Sequence, residues 1–251
     1  MTVAVAVVAA VGVATLVDGS VSAKEDVGAE GLIQRVLSQT ARGGVAIRAL
    51  RELRAGTVSG KHRGWMVVDT AVTSSGAFTW KVMEEGGSER TREKVFYELL
   101  KTEASAWRDG AHDGAALTLD NYQLASLGVS SPGEFKLRLT PRRADSKLID
   151  GILTVSADGY PIRLEGKMTK SPSFWVKSVT IVKQYSRFAG VALPTSIESL
   201  ADLKMFGRST FTMRYRYSEV NGHTISHAVA SAPFVGPTAE ILALHESGSE
   251  Q

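Results

Sequence analysis

Few residues in this sequence have the types and spacing that catalysis or metal binding requires. His223 and His227 are four residues apart, which suits a metal ion on a helix but separates the side chains by ~13 Å along a strand. The chain has no cysteine, and its other histidines are isolated. It also has no Ser-His-Asp order, GxSxG motif or glycine-rich phosphate loop. The sequence therefore predicts neither a metal or cofactor site nor an enzyme.

The residues best suited to a function are apolar and lie within 210–217. Phe211, Met213, Tyr215 and Tyr217 alternate with polar residues, and successive side chains of a strand point to opposite faces. One face of this strand is therefore large and apolar. Such a face either lines a cavity for an apolar ligand or is ordinary core beneath a helix, and the pattern fits both. The opposite face is predicted to meet solvent and carries Thr210, Thr212, Arg214 and Arg216.

The stretch 158–221, which positions these residues, predicts a meander of long antiparallel strands. The Asp-Gly pair 158–159 and the Asn-Gly pair 221–222 have the preferred composition of tight hairpin turns, and Pro172 cannot donate to a β-ladder. The segment 175–187 has no breaker and would extend over roughly 43 Å at ~3.3 Å per residue. A strand of this length is typical of a sheet that wraps around something.

Shorter strands outside the meander are predicted from alternating apolar and polar residues. Together with the meander they indicate a mainly β protein with a few helices. The predicted strands are 62–73 and 77–84, which form a hairpin, 121–129, 134–141, 149–157 and 223–230.

Two helices are predicted from apolar residues that recur at i, i+3 and i+4. The first spans 24–39. The second spans 89–108 with Ser88 as its N-cap, and its apolar rows need a surface to cover. We expect it to be a lid over the sheet, hinged at glycines 86–87 and 110. Segment 45–53 is ambiguous between helix and strand, and its arginines at every third position favour a helix end or a solvated face.

The N-terminus has the features of an export signal. An uncharged apolar run is followed by Val21-Ser22-Ala23, the small-x-small pattern of signal peptidase. The run is short for a membrane span of ~20 residues, so a cleaved signal peptide at 1–23 is predicted, with an uncleaved anchor as the alternative. Because no cysteine can be acylated, we expect a soluble periplasmic protein. Its single domain would span 24–230 and its flexible tail 231–251.

The charge of the chain argues against a nucleic-acid partner. The net charge is only +3, and Lys and Arg are interspersed with Asp and Glu rather than gathered in a basic stripe. Lys183, Arg187, Arg214 and Arg216 would form a basic outer face for anionic headgroups, or would simply be solvated. Phe174 and the tryptophan after it form either a lip that meets a membrane or partner, or a core plug.

The order of turns and strands resembles the LolA-like superfamily. The segments that carry this resemblance are DGYPIRLEG at 158–166, GVALPTSIES at 190–199 and FTMRYRYSEVNG at 211–222. That superfamily includes periplasmic carriers of outer-membrane lipoproteins and envelope-stress sensors of the RseB type. The resemblance implies a long antiparallel meander curled into an incomplete, half-open barrel. Helices would pack in its mouth, and its apolar cavity would hold acyl chains.

The resulting hypothesis is a monomeric periplasmic carrier that binds acyl chains of lipids or lipoproteins without chemistry or a cofactor. The alternative is an envelope-stress sensor or scaffold that binds a protein partner, such as an envelope membrane protein, through the same apolar face. The residues predicted to line the cavity are Trp65, Val67, Phe78, Trp80, Phe96, Leu100, Trp107, Leu137, Leu164, Trp175, Phe211, Met213 and Tyr215.

Overall fold

Eleven strands in the described part of the chain form one antiparallel sheet that does not close into a barrel. The computed structural model describes residues 28–40, 44–109, 116–205, 207–226 and 241. Its strands are β1 (Ile47–Thr57), β2 (Gly64–Val72), β3 (Phe78–Gly87), β4 (Tyr122–Ser131), β5 (Glu134–Pro141), β6 (Ile149–Ser156), β7 (Pro161–Met168), β8 (Val176–Phe188), β9 (Val191–Leu203), β10 (Gly207–Val220) and β11 (His223–Thr224). They lie in the order β3-β2-β1-β10-β9-β8-β7-β6-β5-β4, and β11 pairs with β10. The predicted class, mainly β with an open antiparallel sheet and a few helices, is confirmed.

The helices are α1 (Ala29–Thr40), α2 (Glu89–Thr91) and α3 (Glu98–Arg108), with a π-helical stretch (Arg92–Tyr97) between the last two. α2, the π-helical stretch and α3 are continuous and are together called the helical segment 89–108. The side chain of Ser88 accepts a hydrogen bond from the Thr91 amide at 3.3 Å, which confirms the predicted N-cap. The π-helical stretch was not predicted, because apolar spacing does not distinguish it from an α-helix. None of the described helices is both long and apolar enough to cross a bilayer.

Turn residues fix most strand ends. β5 has the predicted bounds, and β8 begins and ends one residue later than predicted. The ambiguous segment 45–53 is largely strand β1, which pairs with β2 and β10 on either side. The preference for a helix end or a solvated face is therefore wrong, and Arg51 in particular is buried. Pairing on both sides overrides the local spacing of the arginines.

Several predictions fall outside the described residues. These are the signal peptide 1–23, the start of the first helix at 24–27, the end of the last predicted strand at 227–230, and the tail 231–251 except Ile241. Ile241 is buried and packs with Val182 and Leu200.

One face of the sheet, here called the inner face, carries most of the core. Phe211, Met213, Tyr215 and Tyr217 are all buried on it, as the alternation predicts. The helical segment packs on this face near β1, β2 and β10, and α1 packs on it near β4, β5 and β6. A single register row crosses it from β5 to β2 through Leu137, Leu153, Leu164, Lys183, Ile197, Met213, Leu53 and Met66.

A pair of facing glycines separates the two parts of the inner face. Gly151 on β6 pairs with Gly166 on β7. A Cβ at Gly151 would lie 2.0 Å from the carbonyl oxygen of Glu165, and one at Gly166 would lie 2.3 Å from that of Asp150. No side chain fits there, and glycine at such a close approach permits a sheet to bend.

The outer face is covered as well near the middle of the sheet. Val182, Leu200 and Ile241 form a small buried cluster there. Thr212, on the same face of β10, is only 5% exposed. The prediction that Thr212 meets solvent is therefore wrong, because alternation identifies opposite faces but does not show what covers each of them. Arg216, further along β10, is exposed as predicted.

Candidate functional site: an apolar inner face beneath a helical segment

The candidate site is the interface between the helical segment and the inner face. Phe96, Leu99 and Leu100 of the segment are buried in one cluster with Phe211 and Met213 of β10. The rings of Phe96 and Phe211 lie 6.4 Å apart, a normal packing distance for tilted aromatic pairs. The segment therefore covers the sheet mainly through apolar contacts.

The structure brings nine of the thirteen predicted site residues together here. Five are buried in the cluster, and the other four are partly buried against it. The first group is Phe96, Leu100, Phe211, Met213 and Tyr215, and the second is Phe78, Trp80, Trp107 and Leu164.

Two predicted residues of the β2–β3 hairpin lie on the wrong face. Met66 and Val68 are buried on the inner face, so their neighbours Trp65 and Val67 point to the outer face. The indole of Trp65 covers Gly86, where a Cβ would lie 2.7 Å from its Nε1 atom. Because the four residues 65–68 are all apolar, alternation alone could not assign them to a face.

The remaining two predicted residues are also elsewhere. Leu137 is buried in the second cluster, beneath α1. Trp175 lies in the turn before β8, where its ring packs edge-on against Phe174 with 5.4 Å between centroids.

A buried ion pair joins the helical segment to the sheet. Arg51 on β1 donates from its two terminal nitrogens to the carboxylate of Glu103 at 2.6 and 3.0 Å, and Arg51 is only 1% exposed. The guanidinium also lies 5.3 Å from the ring centroid of Phe78 and 5.1 Å from that of Tyr215. Burial alone would lower the pKa of Arg51, but the attraction of Glu103 and the tyrosines raises it above the ordinary value. Arg51 is therefore charged within an apolar interface.

Two polar atoms beside this pair have no hydrogen-bond partner within the described residues. They are Nε of Arg51 and the hydroxyl of Tyr215, both shielded from solvent. Burial raises the pKa of Tyr215, so its hydroxyl remains protonated and can donate. By contrast, the hydroxyl of Tyr217 donates to the carbonyl of Pro194 at 2.8 Å. Buried polar groups are normally paired, so two free donors in one place could bind an acceptor oxygen of a ligand.

Sequence reasoning missed this pair, although a signal for Glu103 was present. Glu103 follows Leu100 by three residues and precedes Trp107 by four, so it falls on the apolar stripe of the helix. A carboxylate on a stripe that must be buried requires a cationic partner. Arg51 could not be chosen as that partner from sequence, because the pairing depends on where β1 lies in the sheet.

Lys183 is a second charged residue of the inner face. It lies in the apolar register row between Leu164 and Ile197 and is 6% exposed. The prediction that it belongs to a basic outer face is wrong, since its parity on β8 is that of Val179 and Ile181. Burial lowers the pKa of Lys183 to about 8.

This lowered pKa predicts that stability rises with pH. Between pH 8 and the ordinary lysine pKa of 10.5, the unfolded chain binds more protons at this site than the folded protein. The free energy of unfolding should therefore increase by up to about 3 kcal/mol across that window. Above pH ~10 the raised pKa values of Tyr215 and Tyr217 act in the opposite direction.

Denaturant melts of the wild type and Lys183→Met at several pH values would measure this effect. The wild type should gain stability from pH 7 to pH ~10 relative to Lys183→Met, in which the lysine contribution is removed. Parallel pH profiles for the two proteins would contradict the lowered pKa.

Within the described residues, no three His, Asp or Glu side chains come together as metal ligands would. His223 is exposed on β11, and His227 lies outside the described residues. The ionisable groups of the inner face, Arg51, Glu103 and Lys183, are buried.

The fold and the site thus define an open antiparallel sheet whose inner face is covered by a helical segment. Two solved structures are distantly similar to this chain. The chain is similar to a LolA superfamily protein from Nitrosomonas europaea, with 12% identity over 80% of this chain and 96% of that chain and a TM-score of 0.41. It is also similar to a DUF1329 family protein from Desulfovibrio piger, with 9% identity over 75% and 91% of the chains and a TM-score of 0.39. The first belongs to the superfamily that the sequence pattern resembles, and neither likeness assigns a function. No protein-family model and no curated protein matches the chain.

Proposed function

We propose that this protein is an exported carrier that binds acyl chains of a lipid or lipoprotein between its inner face and the helical segment, without chemistry. The observation that supports this most directly is the nature of the interface. A single helical segment covers an apolar surface contributed by several strands, and apolar contacts together with two ion pairs, Arg51–Glu103 and Arg92–Glu85, hold it in place. A hydrocarbon chain can replace apolar contacts of this kind, because burial stabilises each CH₂ by ~0.8 kcal/mol whatever surface it meets.

The attachments of the segment indicate how it would open. Its N-terminal end is tied down: the Ser88 amide donates to the carbonyl of Arg63 at 2.7 Å, and the Thr91 hydroxyl donates to that of His62 at 2.6 Å. Arg92 also pairs with Glu85 of β3 at 2.7 Å. Opening would therefore begin at the C-terminal end of the segment.

The glycines predicted as a hinge have another role at the N-terminal end. Gly87 adopts a φ of 77°, and a Cβ there would lie 2.4 Å from the carbonyl oxygen of Arg63. Gly86 lies beneath the indole of Trp65. Both positions require glycine for close packing, and Gly110 lies outside the described residues.

The C-terminal half of the segment would have to release two contacts in addition to the apolar packing of Leu99 and Leu100. One is the Arg51–Glu103 ion pair, and the other is the packing of Trp107, whose ring lies 3.7 Å from a Cβ built at Gly76 in the β2–β3 turn. In the open state, Arg51 and Tyr215 would offer donors to an ester or amide oxygen of the ligand, while its alkyl chain lies on the apolar row. Export to the periplasm remains part of this proposal, on the evidence of the N-terminal sequence.

Leu100→Ala tests the proposal, since Leu100 is buried between the segment and the sheet. Truncating a buried leucine costs 2–5 kcal/mol of local packing. If the segment competes with the ligand for one surface, this loss favours opening. The affinity for a fluorescent fatty acid should then rise by about 30-fold for ~2 kcal/mol.

Leu139→Ala is the matched control, because Leu139 is equally buried but lies in the second cluster beneath α1. It should lower the stability without changing the affinity for the probe. Each variant requires a denaturant melt and a fatty-acid titration. An unchanged affinity in Leu100→Ala with a full loss of stability would identify a fixed core helix and refute the carrier. If the affinity instead rises as expected, mass spectrometry of organic extracts from the exported protein would identify the natural cargo.

A further inference from the structure

One end of the sheet combines positive charge with exposed apolar groups. Three neighbouring turns at this end form what is called here the basic rim: the β1–β2 turn 58–63, the β7–β8 turn 169–175, and Lys204 with Met205 after β9. Backbone hydrogen bonds join them, from the Val58 amide to the Arg208 carbonyl at 2.9 Å and from the Lys204 amide to the Trp175 carbonyl at 2.9 Å. The three turns therefore form one continuous surface.

The turns of the basic rim themselves carry positive charge only, although Asp145 and Asp202 lie beside them. The sequence windows 57–64, 169–177 and 203–209 contain no Asp or Glu. At the opposite end of the sheet, the turns 73–77, 132–133, 157–160, 189–190 and 221–222 contain no Lys or Arg and a single carboxylate, Asp158. The cations on and beside the rim are Lys61, Arg63, Lys170, Lys177, Lys204 and Arg208.

Large apolar side chains project from the same turns. Phe174 is 74% exposed, Met205 is 66% exposed, and Val58 is also exposed. The ammonium of Lys204 lies 3.7 Å from the ring centroid of Phe174, and that ring packs in a T-shaped arrangement with the ring of Trp175. Exposed apolar groups among cations are the composition of segments that lie in the interface of an anionic bilayer.

We infer that the basic rim docks on the surface of an anionic phospholipid bilayer. The side chains of Phe174, Met205 and Val58 enter the boundary between headgroups and acyl chains, and the surrounding lysines and arginines contact lipid phosphates. Phenylalanine is typical of the buried face of segments that lie in that interface. A nucleic acid would also attract the cations, but it would leave the aliphatic tips without an apolar environment. This inference is independent of the acyl-chain proposal, because none of these residues belongs to the inner-face cluster.

Vesicle sedimentation with the exported protein, from which residues 1–23 are expected to have been removed, tests the inference. The protein should bind vesicles of phosphatidylcholine with one third phosphatidylglycerol, bind much less to phosphatidylcholine alone, and dissociate as salt is raised. Lys61→Gln with Lys204→Gln should weaken binding roughly fivefold per lysine. Phe174→Ser with Met205→Ser should weaken it by about tenfold, since two apolar side chains no longer enter the interface.

Leu127→Ser with Val129→Ser is the matched control, because both side chains are exposed but lie on β4, away from the rim; Val129 is 68% exposed. Binding in this variant should equal that of the wild type. Equal binding to neutral and anionic vesicles, or an equal loss in the control variant, would overturn the inference. Absence of binding to any vesicle would also overturn it, in favour of a protein partner at the same rim. A fatty-acid titration of the rim variants should be unchanged, which separates this result from the test of the carrier.

Discussion

Glu103→Leu is expected to destabilise the protein by about 3–5 kcal/mol, because it leaves the guanidinium of Arg51 buried and unpaired. Arg51 and Glu103 are both almost fully buried, so water cannot replace the missing carboxylate. The double variant Arg51→Met/Glu103→Leu should recover most of this loss, since apolar residues often replace a buried ion pair without cost. Denaturant melts of the wild type, both single variants and the double variant would measure the coupling between the two side chains.

Glu98→Leu provides a control on the same helix. Glu98 pairs with Lys101 at 3.2 Å, but both side chains are more than half exposed, so the change should be below about 1 kcal/mol. If Glu103→Leu costs no more than Glu98→Leu, the buried pair does not hold the helical segment. The double variant also tests how the helical segment opens. With apolar groups in place of the ion pair, the segment should open less often. Exchange of a bound fatty acid should therefore become slower.

Phe211→Asp is expected to abolish stable folding. The side chain of Phe211 is buried against Phe96, and an unpaired carboxylate at that position costs several kcal/mol, comparable with the 5–15 kcal/mol that stabilises a typical domain. Phe211 is a sharper choice than Tyr215, because an aspartate at 215 would lie beside Arg51 and pair with it. Circular dichroism and a thermal melt would detect the loss of the native state.

Arg216→Asp is the matched control for Phe211→Asp. Arg216 is on the same strand but exposed on the outer face, so a carboxylate remains solvated there and should leave the melting temperature nearly unchanged. Thr212→Asp would be a poor control because Thr212 is buried on the covered part of the outer face. Similar melting of Phe211→Asp and Arg216→Asp would show that the inner face is not the core.

Local sequence signals were sufficient for most of the strands and for the helical segment. Gly, Pro and Asn mark turns whatever lies around them, so the bounds of β5 and the cap at Ser88 could be predicted from a few residues. The face of β10 was also predictable, because large and polar side chains alternate there without interruption. The face of β2 was not predictable, since residues 65–68 are all apolar.

The charged groups of the site show where sequence reasoning ends. Alternation along β8 places Lys183 with Val179 and Ile181, so its inward orientation could have been predicted. The burial of Lys183 could not be predicted, because it depends on the neighbouring strands β7 and β9 and on what packs over the inner face there. The partner of Glu103 likewise depends on the pairing of β1 with β10, which connects parts of the chain that no local pattern relates.

The pairing of β1 with β10 also determines how this chain must fold. The hydroxyl of Ser209 donates to the carbonyl of Gly56, 153 residues earlier, and the whole length of β1 is matched to β10 in this way. Closing so large a loop costs entropy before any contact is gained, and proteins rich in such distant pairs fold slowly. Until β10 has been synthesised, the hairpin of β2 and β3 has no neighbouring strand beyond β1, and the helical segment has only part of its surface. The part of the fold built on β1 should therefore remain incomplete until nearly all of the chain has been synthesised, whereas β4 to β9 pair with their neighbours in sequence and can form earlier.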